Sequence, residues 1–157
     1  KSGVFGDLGP HLMDICCFLF GLNSIENVEL VTSKNYENKA PDHIVVKNFK
    51  HTINIQLEMT YCMWKNDFSC DIICENGSLH INSLCKWGPS TLTIRKRKYP
   101  SGQPSERKKI IISKDPTWID EFKYFKNMIN KKTICNLDRD IIIFKNIKKI
   151  ENEIQKK

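Results

Sequence analysis

The sequence predicts an α+β fold, a largely antiparallel open sheet of about seven strands with an N-terminal helix and two C-terminal helices packed on one face. Three observations carry this. Apolar residues recur at helical spacing near the start and again after residue 115, and strand-like patterns fill the stretch between. The strands also follow one another without intervening helices, which argues against alternating βαβ units.

The first helix is predicted over Asp7 to Phe20, where Leu8, Leu12, Ile15, Cys16 and Leu19 repeat at helical spacing and Gly21 stops the run. Pro10 is acceptable there because first-turn amides have no intrahelical partner, which puts Asp7 at or just before the N-cap. Val28 to Val31 and Ile44 to Phe49 are short apolar runs of strand length. Ile53 to Tyr61 alternates without a break, with Ile53, Ile55, Leu57, Met59 and Tyr61 on one face and Asn54, Gln56, Glu58 and Thr60 on the other. Ile44, Val46 and Ile73 are expected to join that polar face from neighbouring strands.

Phe68 to Cys74 and Leu79 to Leu84 flank Glu75-Asn76-Gly77-Ser78, and Asn-Gly signals a hairpin because both central residues of a type I′ turn need positive φ. Leu92 to Tyr99 and Lys109 to Ser113 complete the strands across the Pro- and Gly-punctuated loop Pro100 to Ser105. Asp115-Pro116 then reads as an N-cap followed by Pro at the first helical position, with Trp118, Phe122, Phe125 and Ile129 on one helical face. Asp138 is placed to cap the last helix, whose buried stripe is Ile143, Ile147, Ile150 and Ile154.

The chain has 157 residues, 40% of them hydrophobic and 27% charged, which supports a real core in a single domain over 1–157 and excludes disorder as the main description. No apolar run approaches the roughly 18–20 residues of a bilayer span, the nearest being Ile15 to Leu22. The first residue is Lys, followed by Gly-rich sequence unlike a signal peptide, and the chain is read as a piece of a larger protein. Seven cysteines without a Cys-x-x-Cys pair are expected to be core thiols in a reducing cytoplasm. His11, His43, His51 and His80 lack ligand-like spacing, so no metal is expected. The net charge of +7 comes from 21 Lys against 4 Arg and accompanies 21 Ile and 14 Asn, a bias of the whole chain. Arg is the better reader of phosphate and base edges, so the basic clusters at 95–98 and 107–109 are read as a solvated face or loop. Neither a nucleic-acid nor a membrane partner is expected.

The opening reads Gly3-Val4-Phe5-Gly6-Asp7-Leu8-Gly9-Pro10-His11-Leu12-Met13-Asp14. Its glycines form G-x-x-G-x-x-G, which is not the dinucleotide fingerprint. Asp7, His11 and Asp14 stand at i, i+4 and i+7 and share a stripe roughly 100° from the Leu12/Ile15/Leu19 stripe. A His beside a carboxylate can act as a proton acceptor near neutral pH. A solvated helix face or a buried capping network accounts for the same spacing.

The whole string, followed by Phe18-Leu19-Phe20-Gly21, resembles the C-terminal domain of the glucose–fructose oxidoreductase / inositol dehydrogenase (Gfo/Idh/MocA) family. The likeness continues loosely through Asp42-His43-Ile44, the Cys70 to Leu79 hairpin and Trp118-Ile119-Asp120-Glu121-Phe122. The resemblance implies the substrate and oligomerisation domain of a two-domain NAD(P)-dependent oxidoreductase, whose N-terminal Rossmann domain and Glu-Lys-Pro motif are absent from this chain. It implies hydride transfer to or from a secondary alcohol of a sugar, polyol or sugar derivative, with NAD or NADP bound mainly by the missing domain. The fragment alone is expected to be inactive. The family's Asp-x-x-x-His pair maps onto Asp7 and His11 as catalytic residues, with Asp7 orienting His11 and Asp14 structural beside them. Trp64 and Asn66 are candidate substrate contacts by stacking and hydrogen bonding, and Trp87-Gly88-Pro89 is a rim element or only a turn. A homodimer or homotetramer through the open sheet face is implied as well. The alternatives are a non-catalytic basic module binding a partner or nucleic acid, and a degenerate relative without activity.

Overall fold

A computed structural model describes residues 3–49, 52–84, 88–112, 115–132 and 137–156. The α+β class stands, and the described residues form seven strands where about seven were expected, but these divide between two antiparallel sheets where the sequence suggested one. The chain forms two compact units, Lys1–Trp64 with Cys135–Lys157, and Lys65–Ile134.

The first unit opens with α1 (Gly3–Phe20) and a short 3-10 turn (Leu22–Ile25), continues through β1 (Glu29–Lys34), β2 (His43–Asn48) and β3 (Ile55–Thr60), and closes with α3 (Asp138–Gln155). The helix α1 begins four residues earlier than expected, so Pro10 lies inside it and Asp7 is not its N-cap. The reason is a contact from outside the segment: the Val4 N–H donates to the Pro41 carbonyl at 2.8 Å, which anchors the first turn. Gly3 has φ +53°, and a Cβ there would run into the Pro41 carbonyl oxygen, so only glycine suits this junction. Val4, Phe5, Gly9, Met13, Cys16 and Cys17 are buried along one side of the helix. By length and composition α1 is apolar enough to cross a membrane, contrary to the expectation from uninterrupted apolar runs. Its buried residues belong to the core of the first unit.

The strands β1, β2 and β3 form a meander. The alternation of β3 behaves as predicted, Ile55 and Met59 buried and Gln56 and Glu58 exposed. Ile44 pairs with Met59 and Val46 with Leu57, and both β2 residues are fully buried. They therefore belong to the apolar face, which corrects their assignment to the polar one, since directly paired residues share a face. Ile73 lies in the other sheet. The last helix packs on α1 and β1 through Ile143 and Ile150, with Ile147 and Ile154 half-buried. Its N-cap is Leu137, with Asp138 in the first turn. Lys149 Nζ donates to the Val28 carbonyl at 2.8 Å, tying α3 to the entry of β1.

The second unit contains β4 (Ser69–Cys74), β5 (Gly77–Asn82), β6 (Ser90–Lys96) and β7 (Ser105–Ile111) in meander order, followed by α2 (Thr117–Lys131). The β4–β5 hairpin falls where the sequence placed it, but Cys74 pairs with Gly77, so Glu75 and Asn76 are the central turn residues. Neither has positive φ. Gly77 is required for a different reason: a Cβ there would meet the Arg95 carbonyl oxygen of β6. Asp115 accepts the Thr117 N–H at 3.0 Å ahead of α2. Trp118, Phe122, Phe125 and Ile129 are exposed, and α2 has no buried residue, so its apolar stripe does not pack as expected.

Candidate active site

The stripe Asp7, His11, Asp14 lies on α1, whose opposite side is fixed in the core by Phe5 and Met13. His11 is exposed and has no hydrogen-bond partner among the described residues. It lines an open groove of about 250 Å³ with Pro10 and Asp14 of α1 and Asp140, Ile143 and Phe144 of α3. Asp14 stands on the α1 wall, and the α3 wall carries Asp140 beside the apolar side chains of Ile143 and Phe144. Arg139 Nε donates to Asp14 Oδ1 at 3.2 Å, fixing Asp14 between the two helices.

Asp7 does not orient His11 in this structure. Its Oδ2 accepts the Tyr61 hydroxyl at 2.9 Å, just beyond the end of β3. Burial first, and then the hydrogen bond and charge of Asp7, push the Tyr61 phenol up to about 12. Sequence reasoning placed Tyr61 only as the last member of an alternating strand. The contact spans 54 positions, and no local pattern signals it.

Asp42, which enters the sequence likeness only within Asp42-His43-Ile44, is fully buried. Its carboxylate accepts the backbone N–H groups of Tyr36 (2.9 Å), Glu37 (2.7 Å) and Asn38 (3.1 Å). These donors hold its carboxyl below the usual range, those of Tyr36 and Glu37 acting most. Asp42 also joins its own backbone to both neighbours: its N–H donates to the Lys34 carbonyl and its carbonyl accepts the Tyr61 N–H at 2.8 Å. It therefore braces the loop that carries Pro41 and the end of β3 that carries Tyr61.

Trp64 is 87% exposed at the end of the first unit and does not line the groove. Asn66 is exposed and belongs to the second unit. Trp87 lies outside the described residues. Gly3, Gly6 and Gly9 are helical and form no loop that wraps a pyrophosphate, so this segment does not fit a dinucleotide.

An α+β domain with a histidine between carboxylates on its first helix is the class the fold and site define. The family model described as the GFO/IDH/MocA C-terminal domain matches residues 1–80, from the start of the chain to His80 on β5, and the chain belongs to that family. The match spans α1, the three-stranded sheet and most of the first hairpin of the second sheet, while the Trp118 to Phe122 segment lies beyond it. The family is in general one of NAD(P)-dependent oxidoreductases, and this chain fits the C-terminal part of one. No curated protein and no solved structure matches the chain significantly.

Proposed function

We propose that this chain is the substrate-side part of an NAD(P)-dependent oxidoreductase acting on a secondary alcohol of a sugar, polyol or sugar derivative, with His11 as the group that takes or returns the hydroxyl proton. The observation that carries this is the placement of His11: exposed, without a hydrogen-bond partner among the described residues, and lining a groove beside Asp14 and Asp140. An imidazole with no internal partner is free to meet a substrate hydroxyl within hydrogen-bond reach. The carboxylates Asp7 and Asp14, along the same stripe, offset the positive charge that arrives with the proton. Carboxylates of Asp14 and Asp140 accept further hydroxyls of a polyol, and Ile143 and Phe144 pack against its C–H face. The nicotinamide, when bound, supplies the hydride chemistry. Its dinucleotide is held outside the segment Gly3–Phe20, which has no phosphate loop.

Assembly follows the same reading. The outward face of the three-stranded sheet carries His43, Val45, Lys47, Gln56, Glu58 and Thr60, and is mostly polar. Pairing between copies is better served by the apolar face of the second sheet, where Ile72, Leu79, Ile81 and Leu92 are only half-buried. Trp64 and Asn66 remain candidate substrate contacts, each exposed. A reducing cytoplasm suits Cys17, Cys62, Cys70 and Cys74, all free thiols.

The test is turnover by the full-length protein. Purified enzyme is offered NAD and NADP with a panel of hexoses, inositols and acyclic polyols, and the corresponding ketones are offered with the reduced cofactors. Absorbance of the reduced nicotinamide is followed. Turnover with at least one polyol or ketone is expected. Silence across the panel in both directions, from protein that binds the cofactor, contradicts the reading.

A further inference from the structure

A second set of chemistry-bearing side chains stands on the polar face of the four-stranded sheet, and the oxidoreductase reading uses none of them. Ser78 and His80 are two residues apart on β5 and therefore project to the same side. The register sets Asp71 of β4 opposite His80 and Arg95 of β6 opposite Ser78. Asp71 Oδ1 lies 2.6 Å from His80 Nδ1, and Ser78 Oγ lies 2.7 Å from His80 Nε2.

An ionised carboxylate only accepts, so the proton between these groups sits on Nδ1 of His80. Nε2 is then left with its lone pair facing the Ser78 hydroxyl, the tautomer in which an imidazole removes a proton from serine. Arg95 Nη1 stands 3.4 Å from the same Nε2, and its Nε is held by Glu106 at 2.8 Å. The guanidinium is thereby fixed beside the serine and its base. The constellation is open to a reactant, the side chain of Asp71 being 64% exposed and that of His80 23%. Ladder hydrogen bonds on both sides of β5 hold the serine and histidine on a rigid strand, which suits a reacting pair better than a loop does.

We propose that Ser78 is an acyl-accepting nucleophile with His80 as its general base and Asp71 as the positioning residue of His80, and that this face reacts with small carboxylic esters. Ser78 Oγ forms a bond to the ester carbonyl carbon as its proton passes to His80 Nε2. The oxyanion that results faces the Arg95 guanidinium. The bond from carbon to the leaving alcohol breaks, and His80 returns the proton to that oxygen. Water, deprotonated by His80, then attacks the acyl-serine, releasing the carboxylic acid and restoring Ser78. Nothing is oxidised or reduced, so this chemistry stands or falls independently of hydride transfer.

The test uses the full chain with 4-nitrophenyl acetate, following nitrophenolate release and locating the acetyl group by peptide mass spectrometry. Acetylation of Ser78 ahead of any lysine is expected. Ser78→Ala removes that adduct, and His80→Gln slows it by roughly 10²–10⁴-fold, the usual range for a general base. Asp71→Asn keeps the shape but loses the charge that fixes the tautomer, and so slows acylation, while Asp71→Glu recovers part of the rate. Circular dichroism confirms that each variant is folded. Acetyl groups on lysines alone in the wild type, with Ser78 unmodified, overturn the proposal without recourse to any variant. A Ser78 adduct formed equally fast in folded His80→Gln overturns it too, and leaves the three residues as a polar cross-strand ladder only.

Discussion

Tyr61 donates its hydroxyl to Asp7 Oδ2 at 2.9 Å, joining the end of β3 to the first turns of α1. The bond ties Asp7 to the sheet, whereas His11, on the same stripe of α1, is exposed and has no hydrogen-bond partner among the described residues. It makes Tyr61 a positioning residue for Asp7.

This bond is visible in an alkaline titration. The Tyr61 phenol is pushed up to about 12, chiefly by burial and then by Asp7. Because its pKa is raised on folding, its contribution is fully present below the unfolded value of about 10 and is lost as pH rises through about 12. Subtracting the phenolate titration of Tyr61→Phe from that of the wild type should isolate one tyrosine with a midpoint near 12. Asp7→Asn should lower that midpoint part of the way, since burial remains. An isolated midpoint near the ordinary value of about 10 contradicts the contact.

Asp42 works with the opposite sign. Its carboxyl is depressed on folding, so the stability it confers is present above the ordinary carboxylate value and is lost as pH falls through the lower folded value. Asp42→Ala leaves the N–H groups of Tyr36, Glu37 and Asn38 without their acceptor. A thermal midpoint several degrees lower at neutral pH is expected, with the difference from wild type shrinking in acid. A difference that stays constant down to the lowest pH at which both fold argues against the carboxylate as its source.

Gly77→Ala tests the close approach of β5 and β6. The added methyl meets the Arg95 carbonyl oxygen, which is backbone and cannot rotate away. A loss of about 1–3 kcal/mol is expected from denaturant unfolding, in the range of overpacked interiors. Unchanged stability, with unchanged hydrogen-exchange protection along β6, contradicts that packing.

The sequence was legible where periodicity decides the structure. Met59 is buried and Gln56 exposed as alternation demands, and Ile143 and Ile150 fall on the buried side of α3. It misled where a distant group intervenes. Pro10 looked like a first-turn residue because nothing local reveals that Pro41 supplies an acceptor to Val4 and starts the helix a turn earlier. The Asn76-Gly77 pair signalled a hairpin correctly, but the glycine answers to the Arg95 backbone rather than to the turn. In the candidate site, the Asp7/His11/Asp14 stripe was readable from helical spacing. The partners Tyr61 and Arg139 were not, because chain folding alone brings them there.

The interface between α1 and α3 gives a graded expectation. Ile150 is fully buried, so Ile150→Ala should cost about 2–5 kcal/mol. The Arg139–Asp14 pair is half exposed, and Arg139→Ala should cost about 0–1 kcal/mol. Equal effects of the two substitutions contradict the assignment of the core to the apolar contact.

The proposed role of His11 in moving the substrate proton is tested by steady-state turnover of His11→Ala in the full-length protein, with the cofactor and substrate on which the wild type turns over. A fall in kcat of roughly 10²–10⁴-fold is expected, with cofactor affinity unchanged. A fall of less than about tenfold, with cofactor binding intact, removes His11 from the mechanism.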